Sequence, residues 1–127
     1  MTLIDFNAPD LARQLEQLSD AERDAAPFGI IKLDGSGRVT EFNATEARLS
    51  GYGSRPALGL DFFASVAPCM GTPEFKGRIE QAQRLGAVDI EIGHVGDFSD
   101  PDRELQLRAQ SASDGGLWIC ILREAMF

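Results

Sequence analysis

Only two of the 127 residues are cysteine, Cys69 and Cys120, and only one is histidine, His94. Two thiols do not make the disulfide framework of a small secreted domain, and neither has a histidine or a second cysteine at metal spacing. Basic side chains are scarce too, 12 against 20 acidic, giving a formal charge of -8 that disfavours nucleic acid and anionic membranes as partners. No apolar run approaches the ~20 residues of a membrane span. The start, MTLIDFNAPD, lacks the basic residues and apolar stretch of a signal peptide. The expectation is a cytoplasmic protein with no membrane or nucleic-acid partner. A Ser-His-Asp set, a metal cluster, a phosphate loop and any repeat of solenoid period are also missing. An enzyme is therefore the weakest choice.

What remains is the composition of one ordinary domain, 43% apolar and 25% charged. Its order can be followed along the chain. Leu11, Leu15 and Leu18 form one stripe of a helix across Asp10 to Asp24, with a break near Ser19. FGIIKL and RVTEF flank the turn-formers Asp34-Gly35-Ser36-Gly37 as a hairpin. Asn43 to Ser50 reads as a short helix with Asn43 as N-cap and Gly51 and Gly53 as stops. The run ALGLDFFASV allows one or two helical turns. Phe75, Ile79, Ala82 and Leu85 then mark a longer connecting helix from Glu74 to Leu85, closed by Gly86. VDIEIGHV alternates as a strand, and ELQLRAQ and LWICIL flank Ser113 to Gly116 as a second hairpin. Two strands, a helical middle and three further strands predict an α+β fold, an antiparallel sheet with helices on one face. The chain is read as one domain, 1–127, with 1–26 as an N-terminal helical cap and 27–127 as the core.

One stretch stands apart, DFFASVAPCMGTPEF from Asp61 to Phe75. Phe62, Phe63 and Val66 are too apolar for a solvent loop, while Pro68, Gly71 and Pro73 do not fit a helix interior or central strand. A thiol at Cys69, fixed by Pro68 beside large apolar side chains, suits covalent attachment in a dry pocket. A buried structural cysteine is the alternative. Cys120, inside the apolar run Leu117 to Leu122, needs no role beyond the core.

The order of elements is that of a PAS domain, and the residues resemble the photoactive yellow protein family along essentially the whole chain. The resemblance runs from PFGIIKLDGSGRVTEFNATE through SGYGSRPALGLDFFASVAPCMGTPEFKGRI to the closing strand with Trp118. The block FF-x-x-VAPC-x-x-x-x-F is far more specific than a three-residue motif. It implies a five-stranded antiparallel PAS sheet flanked by short helices and one long connecting helix. It also implies a blue-light photoreceptor carrying p-coumaric acid (4-hydroxycinnamic acid) as a thioester on Cys69, whose double bond isomerises in light. Phe62, Val66 and Pro68 would line or frame the slot.

The family's carboxyl donor to the chromophore's phenolate is matched by Glu46, and its threonine by Ser50, four residues on and so on the same helix face. Glu46 would be a protonated acid, since burial and a neighbouring anion both favour the neutral form. From spacing alone, Asn43-x-x-Glu46 also fits a capping box that would turn the carboxylate into solvent. Three departures follow. Phe42 replaces the family's tyrosine donor, removing a hydrogen bond to a charged group worth about 1.5–3 kcal/mol. Tyr52 replaces its arginine lid, leaving either Arg48 or Arg55 as a cationic shield or the Tyr52 hydroxyl in its place. The loop GHVGDFSDPD has no methionine and offers only Gly96 and Phe98 as near matches, which predicts slow dark recovery.

The expected mechanism is a switch. Glu46 passes its proton on, the bare buried carboxylate loosens the packing, and the N-terminal segment is released to an unknown downstream signalling protein. The expected assembly is a monomer or weak dimer. The competing reading is a PAS ligand-binding or interaction module without pigment, for which Phe42 is the warning sign.

Overall fold

The computed structural model describes residues 4–50, 56–95 and 104–123. The leucine stripe folds as α1 (Leu11–Gln17) and α2 (Asp20–Asp24), interrupted at Ser19. The break has a local cause: the Ser19 hydroxyl accepts from the Glu22 N–H while the Glu22 carboxylate accepts from the Ser19 N–H, a closed capping box. β1 (Gly29–Leu33) and β2 (Val39–Phe42) form the first hairpin. In its turn Asp34 Oδ1 accepts from the N–H and hydroxyl of Ser36 and from the Arg38 N–H, and Gly37 has φ +89°. These bonds spend the loop's amides internally, as a hairpin turn and not a phosphate cradle requires. α3 (Ala44–Leu49) follows directly, capped by Asn43.

The cysteine stretch resolves into short turns. Phe62–Val66 is a π-helical turn closed by the Ala67 N–H donating to the Phe62 carbonyl at 2.7 Å. Pro68–Met70 is a 3-10 turn, and Pro73–Gly77 a second π-helical turn that runs into α4 (Arg78–Arg84). Both prolines stand at the start of a turn, where the missing N–H has no partner to lose. Three strands complete the described chain: β3 (Asp89–Val95), β4 (Glu104–Ser111) and β5 (Leu117–Arg123).

The strands form one antiparallel sheet in the order β2-β1-β5-β4-β3. The expectation of helices on one face only is corrected here, because both faces are covered. On one face Ile31, Leu33, Leu107, Ile119 and Ile121 pack with Phe62, Val66, Met70, Phe75 and Ile79. On the other, Phe28, Ile30, Trp118 and Cys120 pack with Phe6, Leu11 and Leu15 of the N-terminal cap. Central strand β5 is therefore apolar on both sides and reads as a continuous run, LWICIL, instead of an alternation. A second expectation also changes. Leu85 is 82% exposed, since α4 has ended and Gly86, at φ +104°, has turned the chain away from the core. Phe75 and Ile79 alone anchor the connecting helix deeply.

Candidate functional site

The site is built outward from Asn43. Its side-chain oxygen accepts from the N–H groups of Ile30 and Glu46, both at 2.9 Å. Its amide donates to the carbonyls of Arg23 at 2.8 Å and Phe28 at 3.2 Å. The neighbouring Thr45 hydroxyl donates to the Ala26 carbonyl at 2.6 Å. The first turn of α3 is thus bolted to β1 and to the end of the cap, which fixes the direction of the next side chain, Glu46.

Glu46 points inward. The Asn43 N–H donates to the Ile30 carbonyl, so the capping-box return is not made and the carboxylate enters the protein. There it meets Arg123: Glu46 Oε1 accepts from Arg123 Nη1 at 2.7 Å and Oε2 from Nη2 at 3.0 Å. The two side chains are 1% and 0% exposed. Both carboxyl oxygens accept from a group that has only donors, an arrangement that belongs to an ionised carboxylate. Glu46 is therefore half of a buried ion pair, where a neutral acid was expected.

Gly29 makes room for this pair. A Cβ on Gly29 would lie 1.9 Å from Glu46 Oε1 and 3.0 Å from its Cδ. No other residue type fits there without moving the carboxylate. Arg123 itself follows Ile119 and Ile121 at two-residue spacing, so its side chain leaves β5 on the face that holds Phe62 and Val66.

The other expected residues fall as follows. Ser50, at the end of α3, is fully buried, and its N–H donates to the Glu46 carbonyl at 3.0 Å. Phe42, the last residue of β2, is half-buried against the same core. Phe62 and Val66 lie inside it, and Phe62 meets Phe63 edge to face at 5.0 Å. Pro68 is exposed, so it contributes a backbone constraint and not a wall. Cys69 sits in the 3-10 turn between buried Ala67 and Met70, while its side chain lies outside what the structure describes. Tyr52, Arg55 and the loop after Val95, with Gly96 and Phe98, are also outside the described residues. Cys120 belongs to the opposite face, and burial raises its thiol far above the ordinary range.

Sequence reasoning missed Arg123, because the apolar run was read as ending at Leu122. The signal was there: an arginine in phase with two isoleucines on a strand that is buried on both sides.

A five-stranded antiparallel sheet with a helical wrap on one face and a cap on the other defines a class, and the family model for the PAS fold matches residues 10–125. The chain is 30% identical to the photoactive yellow proteins of Halochromatium salexigens and Rhodothalassium salexigens, in each case over 97% of this chain and 99% of the relative. Among solved structures, the photoactive yellow protein domain from the sensor histidine kinase Ppr of Rhodospirillum centenum superposes with a TM-score of 0.79. The two are 36% identical, over 87% of this chain and 98% of that one. A LOV protein from Rhodobacter sphaeroides, at 19% identity and a TM-score of 0.59 over 90% of this chain and 68% of its own, shares the fold alone. The chain belongs to the photoactive yellow protein family of PAS domains.

Proposed function

We propose that the protein is a blue-light photoreceptor that carries p-coumaric acid as a thioester on Cys69. The single observation that carries the reading is the placement of Glu46. A carboxyl at the family's donor position is buried, turned inward, and held on the sheet face whose core includes Phe62, Val66 and the residues either side of Cys69. The site is compatible with a buried anion, because Arg123 brings a positive charge, Ser50 a hydroxyl and Glu46 a carboxyl that donates once protonated into a region otherwise lined by apolar side chains.

When bound, the thioester supplies visible absorption and a double bond that light can isomerise. The chain's own residues do the rest. Phe62 and Val66 exclude water, Pro68 fixes the turn that carries Cys69, and Phe42 and Ser50 close the far end. Glu46 holds or releases a proton at its carboxyl oxygens as the charge beside it changes. Because Asn43 and Thr45 tie α3 to residues 23, 26 and 28, a change of charge at Glu46 is felt at the base of the cap. That linkage gives the switch an output, for a cytoplasmic signalling partner of the kind implied by a related domain lying within a histidine kinase.

A second reading, a PAS ligand or interaction module without pigment, is favoured by one feature: Glu46 is held in a buried two-pronged ion pair with Arg123, where the pigment reading calls for a protonated donor. One experiment separates the two. Apo-protein incubated with activated p-coumaric acid is expected to turn yellow and gain the mass of one acyl group on Cys69, with Cys69→Ala inert. An uncoloured wild type of unchanged mass favours the second reading. In the loaded protein, Glu46→Gln is expected to retain colour and suppress the light-induced loss of hydrogen-exchange protection.

A further inference from the structure

We propose that Arg123 is the counter-charge of the ligand site, balancing the single negative charge that Glu46 and a bound phenol share. The inference rests on the photoreceptor reading above. A guanidinium keeps its proton at any accessible pH and cannot act as an acceptor, so the fully buried Arg123 side chain is a fixed positive charge. In a region of low dielectric one positive charge supports one negative charge and strongly disfavours either none or two. Among the described residues Glu46 is that negative charge.

A phenolic acid attached through its carboxyl brings a second weak acid. Among the described residues the ion pair offers one cation to the two acids, so ionising both would leave one anion unmatched. If the phenolic oxygen gives its proton to Glu46, carboxylate plus phenol becomes carboxylic acid plus phenolate. Atoms and net charge are unchanged, and Arg123 remains paired to an anion in either state. The structure thus contains the means to hold a phenolate although residue 42 is phenylalanine and offers no hydroxyl. It also explains the position of Gly29, whose missing Cβ lets the carboxyl rest between β1 and Arg123. Removing the cation would leave both acids in a dry site without the guanidinium that offsets ionisation, and both would stay protonated to higher pH.

The test uses the full chain as wild type, Arg123→Gln, Arg123→Lys and the Glu46→Gln/Arg123→Gln double variant, each without pigment and after loading with activated p-coumaric acid. In the loaded proteins the phenol-to-phenolate colour change is titrated. Arg123→Gln is expected to raise its midpoint by about one pH unit or more, a ten-fold change in proton affinity. Arg123→Lys, which keeps the charge and loses the two-pronged bond, is expected to fall between, and stands in should Arg123→Gln not fold. Without pigment, the thermal stability of Arg123→Gln is expected to fall as pH rises and its unpaired carboxyl ionises, a slope that the double variant removes. A wild-type colour midpoint in the variants that fold overturns the counter-charge role and leaves the photoreceptor reading standing. A wild type that takes up no pigment overturns both.

Discussion

The two faces of the sheet bury polar groups in different ways. On the site face a carboxylate meets a guanidinium, charge against charge, with both side chains out of water. On the cap face the buried Arg108 and Gln110 grip mainly neutral backbone. Arg108 Nη1 donates to the carbonyls of Phe6 at 2.7 Å and Ala8 at 2.6 Å. Gln110 accepts from the Ala12 N–H at 2.7 Å and donates to the Pro9 carbonyl at 2.9 Å. Arg108 Nε has no partner among the described residues, and the Asp89 carboxylate near its Nη2 is largely exposed. A matched ion pair in a dry interior is bistable, because changing either charge leaves the other stranded. A set of hydrogen bonds to backbone is graded and can be exchanged for water one at a time. The first suits a trigger, the second a strap that opens.

The contrast is broken most severely by removing one half of the ion pair. Arg123→Met alone is expected to destabilise the unloaded protein by about 3–5 kcal/mol, while Glu46→Leu/Arg123→Met restores most of the loss. Urea denaturation of the two single variants and the double closes the cycle. Next in size is Arg108→Met, which removes hydrogen bonds from a charged donor worth about 1.5–3 kcal/mol. Its effect is expected to be local: hydrogen exchange should quicken over residues 6–12 while α3 keeps its protection. Loss of protection in both places would show that the faces are not separable. Gly29→Ala comes next, because its Cβ must displace the Glu46 carboxylate, at about 1–3 kcal/mol, and the cost should vanish in a Glu46→Gly background.

The smallest expected effect is a pH dependence confined to the cap. Burial pushes the Glu16 carboxyl upward, but the Ser113 N–H and the Trp118 indole N–H donate to it, and Lys32 adds its charge, so the net shift is downward. A lowered folded-state value means that the contribution is present above the unfolded carboxylate range, about pH 4.3, and is lost as pH falls through the folded value. Trp118 fluorescence should therefore report cap loosening in acid, and Glu16→Gln should flatten that part of the titration. An identical acid transition in the variant would assign the change to another group.

Much of the architecture was readable because its signals are local. Ser19-x-x-Glu22 names its own break, Asp34 to Gly37 its own turn, and Asn43 its own cap, each through bonds spanning two to four residues. The same locality leaves Asn43-x-x-Glu46 open, since spacing alone fits a capping box and a contact 77 residues away decides otherwise. Leu85 failed for a related reason. Helical phase placed it with Phe75 and Ile79, but the helix had ended before that phase could matter.

The order of strands and helices, the cap and its break, and the apolar wall before Cys69 follow from the residues alone, since patterning and capping act between near neighbours. Which face each element covers, and which charge stands opposite Glu46, were decided only when β5 was inserted between β1 and β4. That pairing carries Arg123 across the length of the chain to a glycine and a carboxylate, and no periodicity in the sequence encodes a meeting of that kind.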